Sequence, residues 1–129
     1  MAQIKIYGLD THLNSIKSAL SDVIHACVVE TLKFPVKKRF HRFFPIKKED
    51  FFFPEDRSDA YTIIEVMMLE GRSKETKKKL IQMLFSQIEN RLGIALNDVE
   101  IVITEAPAHS FGFRGICADE IVLGYKVEV

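Results

Sequence analysis

The sequence predicts an α+β fold of two layers, in which duplicated β-α-β units build a four-stranded mixed sheet with two helices on one face. Three observations predict it. The chain has 129 residues, 47% of them hydrophobic, enough for one domain with a real core. It repeats itself without a gap. Within each copy the apolar pattern changes from strand-like runs to helical steps.

The repeat is a shift of 60 residues. It sets Ile4 and Ile6 on Ile64 and Val66, Leu9 and Asp10 on Leu69 and Glu70, Leu20 on Leu80, and Val28 on Ile88. Leu32 and Phe34 fall on Leu92 and Ile94. Residues 2–45 and 62–105 are therefore the two copies, 46–61 the linker, and 106–129 a terminal turn and strand.

Ala2 to Tyr7 and Thr62 to Leu69 are short runs rich in β-branched residues, as strands are. Helices follow. Leu13, Ile16, Leu20, Val23, Ile24 and Cys27 fall at helical steps, as do Leu80, Leu84, Ile88 and Leu92. Asp10 or Thr11 caps the first, and Ser73 caps the second with Glu75 in the first turn. Pro35 and Gly93 stop them. Second strands are expected over Arg39 to Pro45 and Val99 to Glu105.

A helix between two strands is the normal right-handed crossover, so the strands of each unit run parallel. Both helices then cover one sheet face. The other face, also read as rich in Ile, Val, Met and Phe, needs a cover, and self-association supplies it. In the linker, Phe51 to Phe53 are too many aromatics for a solvated segment and are expected to pack over the sheet or on a neighbour. Ala106 to Ile121 is a Gly-containing excursion, and Val122 to Val129 alternates like an edge strand free to pair with another subunit.

Eighteen basic residues balance eighteen acidic ones, so nothing in the charge points to nucleic acid or a membrane surface. The run of Lys37, Lys38, Arg39, Arg42, Lys47 and Lys48, interleaved with Phe40, Phe43 and Phe44, reads as a solvated turn leading into a core strand. Apolar runs are too short to span a bilayer, and MAQIKIYG is not a leader, so a cytoplasmic location is expected. Cys27 and Cys117 read as reduced, buried thiols. His12 and His25 lack ligand spacing, so no metal is expected, nor any cofactor.

Several short motifs carry a resemblance. They are Leu69-Glu70-Gly71-Arg72-Ser73 before a Lys-rich helix start, Leu92-Gly93-Ile94 with Asn97-Asp98-Val99, and Ser110-Phe111-Gly112-Phe113-Arg114-Gly115. Arg57-Ser58-Asp59 and Pro107-Ala108-His109 join them. With the duplicated architecture, they resemble the tautomerase superfamily, which includes macrophage migration inhibitory factor. The nearest branch is that of malonate semialdehyde decarboxylase, together with bacterial members lacking the amino-terminal proline.

The resemblance implies a homotrimer, a pocket near each amino terminus, and chemistry resting on an amino-terminal proline that acts as base or cation. Here Met1-Ala2 stands instead, so proline-dependent activity is not expected. Removal of Met1 would leave the primary amine of Ala2 as a candidate base. Arg72 matches the family's carboxylate clamp, and a guanidinium suits that role because it grips a carboxylate with two hydrogen bonds. The decarboxylase branch carries an aspartate in a stretch resembling Lys37-Lys38-Arg39-Phe40; lysine stands in its place, so a water-activating acid does not transfer.

The remaining candidates come from the residues themselves. His41, offset onto Ile101, reads either as a buried imidazole with an internal partner or as a proton carrier. His109 lies in a turn that either packs or closes over a ligand. Ala2, His41 and His109 are thus the candidate catalytic residues. Arg72, Arg39, Arg114 and Phe111 are the candidate substrate-binding residues. Two functional readings follow: an enzyme for a small carboxylate-bearing keto or enol compound, or a non-catalytic oligomeric relative that keeps only the fold.

Overall fold

The computed structural model describes residues 2–129. In chain order it contains β1 (Ala2–Leu9), α1 (Asp10–Leu32), β2 (His41–Ile46), β3 (Thr62–Leu69), α2 (Lys74–Leu92), β4 (Val99–Ala106), and a small hairpin of β5 (Gly112–Phe113) and β6 (Ile116–Cys117). The main sheet has the order β2-β1-β3-β4. β1 runs parallel to β2 and β3 parallel to β4, while the two central strands are antiparallel.

The 60-residue repeat survives in the register. Ile4 lies opposite His41, and Ile64 opposite Ile101; Leu9 pairs with Ile46, and Leu69 with Ala106. Alternate residues Ile4, Ile6, Ile64, Val66 and Met68 point toward the helices and are almost fully buried. Leu13, Leu20 and Ile24 of α1 and Leu80, Leu84 and Ile88 of α2 close over them. Each such side chain contributes about 1.5–3 kcal/mol by leaving water, so this layer contact holds the molecule together.

The helix ends differ from one another. Ser73 caps α2 as expected, its Oγ accepting from Thr76 N at 3.1 Å, and Gly93 ends it in the left-handed region at φ 69°. At α1 the strand passes directly into the helix: Asp10 is already helical, Leu9 holds the cap position without a side-chain acceptor, and Asp10 Oδ1 accepts from Thr11 N at 2.7 Å. Lys33, not a glycine, takes the left-handed position that ends α1.

Other expectations are corrected. β2 begins at His41, two residues later than expected, although Phe40 O still accepts from Ile4 N at 2.9 Å. Residues 122–129 form no strand with the rest of the described chain. They fold back as an extended tail whose last carbonyl, that of Val129, accepts from Ser73 Oγ at 3.2 Å and Thr76 Oγ1 at 2.6 Å. These two hydroxyls at the start of α2 and one apolar anchor, the buried Val127, hold it there. Cys27 is buried, its thiol pushed up to about 11 by desolvation, but Cys117 is exposed because β6 lies outside the core.

The sheet face away from the helices is more polar than expected. Ile63, Met67, Val102 and Phe44 alternate there with Lys5, Arg42, Glu65 and Glu100. Tyr7 stacks on Phe44 with ring centres 4.9 Å apart and donates to Glu65 Oε1 at 2.7 Å; Arg42 donates to Gln3 Oε1 at 2.7 Å. Among the described residues no helix is long and apolar enough to cross a membrane.

The linker aromatics pack chiefly on Tyr61: Phe51 and Phe53 lie 5.7 Å and 5.3 Å from its ring centre, while Phe52 is 90% exposed. The Arg57-Ser58-Asp59 motif turns out to be a fastening. Arg57 reaches Glu100 at 2.7 Å, and the buried Asp98 accepts from Ser58 N at 2.8 Å and Ser58 Oγ at 2.6 Å. Asp98→Ala removes both acceptors and orphans a backbone donor. It should cost about 1–3 kcal/mol in a urea unfolding experiment, with little change for the exposed Asp59→Ala.

Candidate functional site

The antiparallel seam brings the start of β1 beside the end of β3, Ala2 lying opposite Met68. The loop after β3 then has to turn sharply. Gly71 does so at φ 138°, a conformation that disfavours a side chain, and its Cα faces Val127 of the tail so closely that a Cβ would stand 2.8 Å from Val127 Cγ1. Arg72 follows at once and is driven inward, 5% exposed.

Its guanidinium is only partly satisfied. Nη1 donates to Leu69 O at 3.2 Å, while Nε and Nη2 are buried without a hydrogen-bond partner among the described residues. Desolvation lowers the pKa of Arg72, opposed first by the neighbouring Tyr125 and then by Glu105 and Glu128. The group remains a cation, because an arginine starts so far above neutrality. Tyr125 is pushed the other way: burial raises its phenol, against Arg72 and Arg114. Lys77 holds Glu105 at 2.8 Å, so that carboxylate is already paired.

Tyr125 also forms a wall of a cavity of about 220 Å³, shared with Phe34, Lys38, Phe40, Phe113, Arg114 and Leu123. Every charged side chain on that wall is cationic. Arg114 and Gly115, at φ 58° and 82°, make the two-residue turn of the β5–β6 hairpin, and the Arg114 guanidinium lies 5.7 Å from the Phe113 ring centre. Ala2 is buried in the apolar cluster that contains Phe34 and against which Tyr125 packs.

Two other hollows are poorer candidates for an anion. The one on the far side of the tail is lined by Glu70, Asp119 and Glu128, and a wider groove of about 660 Å³ along α2, between Phe85, Glu89 and Leu96, has neither arginine nor histidine. Neither suits a carboxylate.

The candidates from sequence fall into separate groups. Arg114 lines the Tyr125 cavity and Arg72 abuts its Tyr125 wall, while Ala2 lies in the core cluster behind Phe34 and does not line it. Phe111 lies next door, in the small apolar cluster with Leu69, Ala118 and Val127. His109 is exposed in the turn Ala108–Ser110 and does not line the cavity. His41 points to α1, where its Nδ1 lies 2.7 Å from Ser21 Oγ and its ring 5.9 Å from that of His25. Burial, then His25 and Arg39, push His41 down to about 4, so it is neutral at pH 7. Arg39 bonds Asp22 at 2.6 Å and Ser21 at 3.3 Å on the outside of the same contact.

Lys38, Tyr125 and the aromatic wall were not singled out from sequence. The signal was present in the interleaving of lysines and phenylalanines between residues 34 and 44, which read as a turn and a core strand. Among the described residues, no group of three His, Cys, Asp or Glu side chains is placed to hold a metal ion.

The comparison with known families turns on more than half of the chain: a family model described as tautomerase enzyme matches residues 38–114. The chain belongs to that tautomerase family. The 2-hydroxymuconate tautomerase of Stutzerimonas stutzeri is 39% identical over 59 residues, 46% of this chain and 94% of that protein. The probable tautomerase YusQ of Bacillus subtilis (strain 168) is 28% identical over 89 residues, 65% and 70% of the two chains. Among solved structures, FG41 malonate semialdehyde decarboxylase inhibited by 3-bromopropiolate is 29% identical, with a TM-score of 0.76 over 88% of this chain and 91% of that one. An asymmetric trimer of the R7 fused 4-OT shares the fold at a TM-score of 0.80, with 19% identity and coverage of 91% and 96%. The superfamily and the mixed four-stranded fold read from the sequence both hold.

Two outcomes are expected for this tautomerase-family chain. Gly71→Ala forces a Cβ into Val127 at a φ that alanine disfavours, costing about 1–3 kcal/mol. A lower thermal midpoint with faster protease cleavage of residues 122–129 is the corresponding observation. For His41, the folded ring at about 4 lies below its ordinary 6.5, so the unfolded chain binds the extra proton between those values. Stability is complete above about pH 6.5 and falls as the pH drops toward 4, by about 2 kcal/mol after allowance for the ring's partial exposure. Urea midpoints of wild type and His41→Gln at neutral and acid pH should show a steeper acid loss in wild type.

Proposed function

We propose that this chain is a tautomerase-superfamily enzyme acting on a small carboxylate-bearing keto or enol compound, with Arg72 as the carboxylate clamp. The observation that carries the reading is the buried Arg72 edge, Nε and Nη2, left without a partner next to a cavity whose charged lining is all cationic. An unsatisfied buried cation is costly, and a carboxylate supplies two acceptors at the spacing of those donors. Arg114, on the hairpin turn, would hold the same anion from the opposite wall. Because Tyr125 stands between Arg72 and the cavity, ligand entry requires the tail to yield at that residue.

The proton carrier is a different matter, since no proline is present. The amine of Ala2, freed by removal of Met1, is the candidate that stands in the proline's place; His109 would serve only if its turn moved inward, and His41 only if it left Ser21. A homotrimer is part of the reading, supported by the fused 4-OT trimers that share the fold and by the exposed Phe44, Met67 and Val102 on the open sheet face. Phe111 is assigned a supporting place at the edge of the site, whereas Arg39, held by Asp22, has no part in it.

A second reading has its own observation. Ala2 is 3% exposed and stands where the family's catalytic proline would be, which favours a non-catalytic relative that binds a carboxylate or only assembles. Mass spectrometry of the purified protein fixes the amino terminus. Enol-keto interconversion of an aryl pyruvate is then followed in wild type and Arg72→Ala. A loss of about 10²-fold or more in kcat/KM is expected for the variant. Equal, near-background rates in both would overturn the catalytic reading for this substrate class.

A further inference from the structure

We infer that Lys38 is an electrophilic residue of the Tyr125 cavity, binding the keto or enolate oxygen next to the clamped carboxylate. The inference deepens the carboxylate-site reading and rests on it.

Lys38 owes its position to two anchors. Pro35 O accepts from Lys38 N at 3.0 Å, closing a turn that leaves Val36 and Lys37 exposed and brings Lys38 in to half-burial. The turn is fixed from beneath by His25, buried at 4% exposure, whose Nε2 lies 2.6 Å from Val36 O. The Lys38 ammonium then rests over the Tyr125 ring, 5.4 Å from its centre, and Tyr125 is itself braced edge-on by Phe34 at 5.2 Å. No carboxylate pairs with Lys38 among the described residues. Lys38 thus lines, with its ammonium free of a carboxylate, a cavity that Arg114 also lines and that Arg72 adjoins through Tyr125.

Lys38 and Arg114 line about 220 Å³, the space of roughly seven water molecules, and Arg72 stands behind the Tyr125 wall; three cations exceed what one carboxylate requires. When a 2-keto acid loses the proton from its third carbon, the electron pair moves onto the keto oxygen, one carbon from the carboxylate. A cation already aimed at that oxygen stabilises the charge as it develops, without reorganisation. The proton itself passes to another base; Lys38 changes no bond.

The test uses anions that need no turnover. Acetate presents a carboxylate alone, whereas oxalate adds an anionic oxygen on the adjacent carbon and so copies the planar enolate. Calorimetric titration of wild type should give oxalate an advantage of about tenfold or more over acetate. That advantage should vanish in Lys38→Met, with acetate affinity nearly unchanged, and return at least in part in Lys38→Arg. Arg72→Met should weaken both anions. Should Lys38→Met shift the thermal transition, Lys38→Gln replaces it. If wild type shows no preference, or Lys38→Met keeps it, Lys38 does not have this role while the carboxylate site stands. If wild type binds neither anion, the carboxylate reading falls and this inference falls with it.

Discussion

The antiparallel seam between β1 and β3 is the contact on which the rest of the molecule depends. Each unit alone is a parallel pair with one helix, and neither can bury both its sheet edge and its helix. Joining them head to tail through Ala2–Gly8 and Thr62–Met68 puts both helices on one face and both apolar strand faces beneath them. The same pairing decides chemistry as well as packing. It carries the start of the chain to the end of β3, setting Ala2 opposite Met68, a few residues before Gly71 and Arg72.

Around that meeting point the structure accepts local costs. Gly71 holds a conformation open to few residues, Arg72 is buried with two donors unmet, and Arg114 adopts a left-handed turn position. Costs of this kind are concentrated where a molecule binds rather than where it merely packs. The contrasting case is the sealed contact of Ser58 with Asp98, where every group on the carboxylate finds a donor. The Asp98 carboxylate is satisfied by the chain itself, whereas Arg72 keeps two buried nitrogens without a partner among the described residues.

Much of the fold was legible because its signals are local or periodic. Helical spacing in Leu80, Leu84 and Ile88, the Ser73 cap, the Gly93 stop and the repeat are all present in the structure. Alternation in Val122 to Val129 suits an edge strand for another subunit and equally an extended segment that, within one chain, finds hydroxyl donors at a helix start. Arg72 was legible from its motif, and Arg114 from its glycine turn. Lys38 and Tyr125 were not, since their partnership joins a turn after α1 to the last residues of the chain. The contacts of Tyr125 with Phe34, Lys38 and Arg72 shape the proposed site, and sequence spacing does not encode them. Arg57 to Asp59 carried the opposite lesson: a motif of charged and polar residues proved to be a clasp.

The direct passage of β1 into α1 at Leu9–Asp10 has a consequence for stoichiometry. In a duplicated fold the two ends of the sheet are related by an approximate twofold axis, so whatever the loop after β3 builds at one end, the junction after β1 might have built at the other. It has no room to do so. Without intervening residues there is no counterpart to Gly71 and Arg72, and Asp98 with Ser58 fills the opposite end with the chain's own carboxylate and its donors. The repeat is therefore symmetrical in framework but not in its loops: the Gly71–Arg72 turn has no counterpart after β1, so on the proposed reading of Arg72 an assembly of these chains would carry one such site per subunit.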